Sequence, residues 1–354
     1  MTALTISATE RGAAEQRTLP WRRMAWVIWR QHRSALTGVV ALLGALAVLM
    51  WMAGLQLHHA YAAAIACRPA GSLACSGVIT SFNGTNGFLA NGFILQVVPP
   101  LIGAFLGATV LAREMETGTF RYAWTQGFGR WRWTLAKLVA LGVVVAAAAG
   151  AFSVLTTWYY QPYFAAGNQA HSLTEASPFS LGLFYLRGVV FAAWTVAAFA
   201  IGALAGMLIR RVVPAIAATL AAYAGLAFAA GGLLREHYLS PLVTSKLNVP
   251  GSAWVLSQWG TKGGKLAWTG SFPPMNLLLP NCPPPGAPGV RVPKPSVNAF
   301  LQCLPQHGYG YALWTSYQPA SRFWAFQWIE GGWLLALSLV LIAGTVWLVR
   351  RRAA

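Results

Sequence analysis

Six apolar runs, roughly 36–56, 93–112, 134–157, 184–209, 212–234 and 331–349, dominate this sequence. Each has about the 20 residues that a helix needs to cross a hydrocarbon core roughly 30 Å thick. Backbone in lipid must satisfy its own hydrogen bonds, which helices do. With only 9% charged residues, the chain reads as an all-α membrane protein of six transmembrane helices. The first run lacks a small-residue cleavage site and reads as a retained span rather than a signal peptide.

The formal charge of +18 raises nucleic acid as a partner, but the basic residues follow the rule that cytoplasmic loops carry positive charge. Arg11, Arg17, Arg22, Arg23, Arg30 and Arg33 precede span one, and Arg113, Arg121, Arg130, Arg132 and Lys137 lie between spans two and three. Arg210 and Arg211 separate spans four and five, and Arg350, Arg351 and Arg352 close the sequence. Both termini are therefore expected in the cytoplasm of a bacterial plasma-membrane protein. The outer loop after span five also carries bases, from Arg235 to Arg322, but long translocated loops escape the rule. No basic run accompanies an aromatic platform in a soluble segment, so nucleic acid is not an expected partner.

The sequence divides into a flexible cytoplasmic tail (1–19), an amphipathic connecting helix (20–34), and spans one to five (35–234) with a coupling segment at 113–133. An extracellular subdomain (235–328) and the sixth span with its basic tail (329–354) follow. The connecting helix is expected in the headgroup plane, because Trp21, Met24, Ala25 and Ile28 share a face away from Arg23, Arg30 and Arg33. Pro99 and Pro100 are expected to kink span two. Gly103 with Gly107, and Gly202 with Gly206, have the spacing that permits close helix contact, within one chain or between two. Arg187 lies three residues into the fourth apolar run, placed either to snorkel to the outer headgroups or to face a substrate cavity.

Cys67, Cys75, Cys282 and Cys303 all fall in outer loops, as an oxidising outer face would produce. Three pairings are open to four cysteines; Cys67 with Cys75 and Cys282 with Cys303 close the shortest loops and are preferred. Their spacing does not suit a metal site.

Much catalytic chemistry is missing. There is no aspartate, and the carboxylates are Glu10, Glu15, Glu114, Glu116, Glu175, Glu236 and Glu330, which makes a paired-carboxylate or two-metal site hard to assemble. GTKGGKL at 260–266 ends in leucine where a phosphate-binding loop needs serine or threonine, and it lies on the outer side. The chain itself is expected to bind no cofactor, metal or nucleotide and to have no catalytic residue. Glu236 and Glu330 flank the long outer loop and are expected to pair with Arg235 or Arg322.

The segment EMETGTFRYAWTQGFGRWRW at 114–133 joins spans two and three. Glu114 and Glu116 follow span two, Thr117-Gly118-Thr119 offers a turn and a helix cap, and Gly127 and Gly129 end the short helix so begun. The chain here resembles permease subunits of ATP-binding-cassette exporters, in the type-2 membrane-domain family that shares its architecture with the G-subfamily lipid and drug exporters. AWTQ, with WRQHR at 29–33 and FQWIEGG at 326–332, is similar to the branch common in actinobacteria. The resemblance implies that Glu114, Glu116, Gly118, Thr119, Phe120 and Arg130 form an ATPase-coupling segment. It also implies a separate ATPase subunit holding ATP and magnesium, a second permease copy or paralogue, surrounding lipids, and a small or lipid-like substrate. Many relatives carry a Thr-Pro turn before the arginine, where this sequence has 125–129 TQGFG.

Two other functions stay open from sequence. The chain can be a receptor or regulator that senses a ligand through its outer loop. A membrane enzyme would need His171, Glu175, His237 or Glu330 to converge.

Overall fold

The computed structural model describes residues 21–67, 73–84, 92, 94–118, 130–167, 177–246, 249–270, 303 and 311–352. Among these, six helices are long and apolar enough to cross a membrane: Trp26–Ala66, Leu95–Thr117, Trp131–Ala165, Gly188–Ile209, Val212–His237 and Ala320–Arg351. They are called spans one to six. In the most apolar stretch of each, 67% of span two and 72% of span four are buried, against 17% of span one and 11% of span five. Spans two and four are thus the centre of the bundle, and spans one and five give most of their surface to what surrounds it.

Span one is the upper part of one unbroken helix, Trp21–Ala66, of 46 residues, about 69 Å long at about 1.5 Å per residue. The expected in-plane helix over 20–34 is therefore continuous with the span. No glycine or proline stands at the junction to break it, and the Ser34 carbonyl accepts from Thr37 Oγ1 at 3.0 Å. Ile28, Leu36, Leu43, Met50, Leu57 and Ala64 are buried, a stripe that from Leu36 onward keeps the seven-residue repeat by which two helices stay in contact. The facing helix is span three. Trp158 of span three is held there between Trp51 and His58, with ring centroids 4.7 and 4.6 Å away. Gly54 leaves room for that indole, since a Cβ there would collide with it.

Span two is not uniform. A 3-10 turn, Leu95–Val97, leads into an α-helical turn, Val98–Ile102. A wider π-helical segment, Gly103–Ala108, follows, and then α-helix from Thr109 to Thr117. Pro99 and Pro100 fall in the first turn of the regular helix, where a missing N–H costs nothing. A π segment lies downstream of the two prolines.

The segment between spans five and six corrects the all-α expectation. It contains a four-stranded antiparallel sheet in the order β1-β4-β2-β3, from β1 (Leu242–Thr244), β2 (Trp254–Lys262), β3 (Lys265–Thr269) and β4 (Tyr311–Gln318). Gly263 and Gly264 turn β2 into β3 with φ +55° and +80°, the left-handed pair that a two-residue hairpin prefers. Trp268 of β3 lies over Gly260 of β2, where any Cβ would strike the indole. The sheet is fastened to the bundle by Gln318, which donates to Leu239 O at 2.7 Å, and by Arg322, which donates to Ser240 O at 2.6 Å. A short helix, Leu73–Gly84, stands between spans one and two, and Cys67 is disulfide-bonded to Cys75 at its base. Cys303 is also in a disulfide; Cys282, its preferred partner from sequence, lies outside the described residues.

Candidate functional site

The C-terminal end of span two gathers the first group of candidate residues. Glu114 Oε1 accepts from Lys137 Nζ of span three at 2.6 Å and from Gln31 Nε2 of the first helix at 2.9 Å. Lys137 is buried, with 1% side-chain exposure, and also donates to Val110 O at 3.1 Å. A buried ammonium is costly unless its hydrogens find acceptors and its charge a partner, and these two oxygens supply both. Glu116 points elsewhere: its Oε2 accepts from the backbone N–H of Val212 at 3.0 Å, in the first turn of span five, where a helix dipole favours a carboxylate. Gly118 ends the helix in the left-handed conformation, φ +71°, with open space around its α-carbon.

A cleft of about 410 Å³ opens beside this group, lined by residues that include His32, Ser34, Arg113, Glu114 and Lys137. Thr119 and Phe120 lie outside the described residues, as does most of the expected coupling helix. Arg130 opens the helix of span three.

The glycine pairs form one seam inside the chain. A Cβ on Gly103 or Gly107 would strike the backbone of Ala198 or Phe199, and one on Gly202 or Gly206 would strike the backbone of Gly103 or Ala108. Spans two and four therefore approach backbone to backbone, which small residues permit.

The opposite end of the bundle holds a second polar cluster. Arg235, at the end of span five, makes a two-pronged contact with Glu330 of span six, Nε to Oε2 at 3.2 Å and Nη2 to Oε1 at 3.3 Å. Both side chains are buried, at 1% and 0% exposure. Trp194 of span four donates its indole N–H to Glu330 Oε1 at 3.0 Å. The Arg235 guanidinium lies 4.0 Å from the Phe184 ring centre and 4.2 Å from that of Tyr185, so rings and carboxylate together replace its water. Of the two arginines open to Glu330 from sequence, Arg235 takes it, while Arg322 bonds Ser240 O and Gln318 Oε1. Glu236 is exposed, 3.8 Å from the His237 ring.

Arg187 is not inside span four. Gly188, with φ +62°, starts the helix after it, and Arg187 stands in extended backbone as the cap residue. Its guanidinium lies 4.1 Å from the Phe164 ring centre and 4.9 Å from that of Phe323. Ser153 Oγ donates to Gly188 O at 2.6 Å, and Thr156 Oγ1 donates to Leu186 O. Gln327 accepts from Val190 N–H and donates to Phe184 O, both at 3.1 Å. These bonds pin the turn that brings Phe184 and Tyr185 onto Arg235. Of the residues considered for an enzyme, His171 and Glu175 lie outside the described residues, His237 is exposed, and Glu330 is locked in its ion pair. Gln327 and Trp194 escaped the sequence reading: a polar residue among the aromatics just ahead of the sixth apolar run was the available signal for Gln327, and none marked Trp194 among the many tryptophans.

Six apolar helices, two of them a tightly packed central pair, with a buried polar cluster near each end, define a multi-pass membrane protein. The family model for ABC-2 membrane transporter related proteins matches residues 40–235, more than half of the 354 residues, and the chain belongs to that family. The match runs from within span one to the last turn of span five and includes the segment between spans two and three. Comparison with curated proteins and with solved structures finds no match.

Proposed function

We propose that this chain is the permease subunit of an ATP-driven exporter of the G-subfamily-like kind, working with a separate ATPase that holds ATP and magnesium. The observation that carries the proposal is the end of span two, where a helix ordered to Thr117 stops at Gly118 within the region matched by the transporter family. The segment from 113 to 133 is the proposed contact with the ATPase, and both chain termini lie on the same, cytoplasmic side of a bacterial plasma membrane. A second permease, identical or paralogous, completes the substrate path. The space among Gln96, Pro99, Tyr185, Trp194 and Tyr223 is about 60 Å³, room for water rather than for a substrate needing about 300–1,000 Å³. A path between two copies, bounded by lipid-facing spans, suits a small or lipid-like substrate.

The test is co-purification with the ABC ATPase encoded beside this chain, followed by ATP hydrolysis with and without Gly118→Pro. Proline cannot adopt φ +71°, so the variant rebuilds the hinge while leaving the spans in place. A stable complex whose turnover depends on the permease and drops in the variant is the expected result. Absence of any complex would favour a receptor or regulator acting through the outer sheet.

A further inference from the structure

Glu114 and Glu116 stand in the last turns of the same α-helix, Thr109–Thr117. Two residues apart on such a helix means about 200° apart around its axis, so the carboxylates face opposite sides. One side meets the first helix and span three, and the other meets span five. Glu114 is half-buried and Glu116 exposed, and each has a partner inside the chain. Glu114 Oε1 is taken by Lys137 and Gln31 together, and its side chain is 13% exposed, which leaves little of it for a partner protein. Lys137 is fastened to span two a second time through Val110 O, one turn before Glu114. On the far side Glu116 holds the Val212 N–H, just after Arg210 and Arg211 bring the chain round from span four. Gly118 ends the helix at once, so both contacts sit between the membrane bundle and the hinge.

We propose that Glu114 and Glu116 are positioning residues within the permease, two tethers that make spans one, three and five follow the hinge, rather than docking contacts for the ATPase. The proposal rests on the permease reading and assigns its two acidic residues a different task. A push on the segment after Gly118 reaches span two directly, spans one and three through Glu114, and span five through Glu116. Four of the six spans then respond to one point of contact.

Two measurements test this in the full-length protein in nanodiscs. Hydrogen exchange is read for peptides covering 212–216 in the parent and in Glu116→Ala, where exchange several-fold faster is expected because a helix-capping acceptor is gone. The assembled complex is then compared between the parent, Glu116→Ala and the double variant Glu114→Gln/Lys137→Met. The double change removes both charges together, which spares the fold the cost of one buried unpaired charge, and the glutamine can still accept from Gln31. ATPase association should stay unchanged while permease-dependent hydrolysis falls by about 5–150-fold, the span of ordinary coupling energies. Weakened association with unchanged turnover per complex would overturn the proposal and make the carboxylates docking residues, and full coupling in the double variant would overturn it as well. If the parent neither binds nor stimulates an ATPase, the permease reading fails by itself, and unchanged exchange at 212–216 would then dispose of the tether.

Discussion

Neutralising Glu330 alone should destabilise the protein more than removing its whole ion pair. Glu330→Gln keeps the side-chain volume and can still accept from the Trp194 indole, 3.0 Å away. It leaves Arg235, 1% exposed, without its carboxylate. Breaking one side of such a pair costs about 3–5 kcal/mol, whereas replacing both partners by uncharged groups of similar volume is often nearly neutral. Arg235→Met alone strands the carboxylate in the same way. The double variant Arg235→Met/Glu330→Gln strands neither charge, retains the acceptor for Trp194, and keeps methionine between the rings of Phe184 and Tyr185. Its cost should be about 1–2 kcal/mol, from lost cation–ring attraction and imperfect packing. The cycle then closes with a coupling energy of several kcal/mol, measured by equilibrium unfolding in mixed detergent micelles with each variant against the parent. Single variants within about 1 kcal/mol of the parent would refute the argument, since water would then have to reach the pair.

Three further outcomes follow from the packing. Gly202→Val should abolish folded yield, because its side chain must enter the backbone of span two, while Gly38→Ala, with open space at the same construction, should express as the parent does; monodispersity by size-exclusion chromatography separates them. Cys75→Ser should lower stability by about 2.5 kcal/mol, the chain-entropy value for an eight-residue loop, and thiol labelling should then find Cys67 free. Gly264→Val should loosen the β2–β3 hairpin by about 1–2 kcal/mol, the cost of a left-handed conformation for a residue with a side chain, read as faster protease cleavage near 263–264.

The spans were legible because lipid imposes one solution on an apolar run; the ends of spans two, four and five moved little, while the helix of span three runs on to Ala165 and that of span six begins at Ala320. At the first helix the expected amphipathic segment leads straight into span one, and the stripe from Ile28 to Ala64 packs along span three. The sheet was missed for a local reason. Lys262-Gly263-Gly264-Lys265 is a hairpin signal, but the same glycines were weighed only as a failed phosphate loop, and the tryptophans around them obscured the strand alternation. Glu330 was recognised as needing a cation from its position at a span end. Which cation it takes depends on the turn at 184–188, and that turn is fixed by Ser153, Thr156 and Gln327 from two other spans. The glycine pairs announced a close contact, and only the three-dimensional arrangement told that both halves of it belong to one chain.

The two π-helical segments, Gly103–Ala108 in span two and Ala230–Leu234 in span five, each precede the charged residue that its span contributes. A π turn carries one residue more than the α turn it replaces, so everything beyond it is rotated by about 100°. These wide turns set the azimuth at which Glu114 and Arg235 leave their helices. Deleting Ala108 alone would preserve every apolar run and the spacing of Gly103 and Gly107, yet it would swing Glu114 away from Lys137 and Glu116 away from Val212. A one-residue deletion in a span is usually read as a small change of length; in this protein it would act as a change of angle.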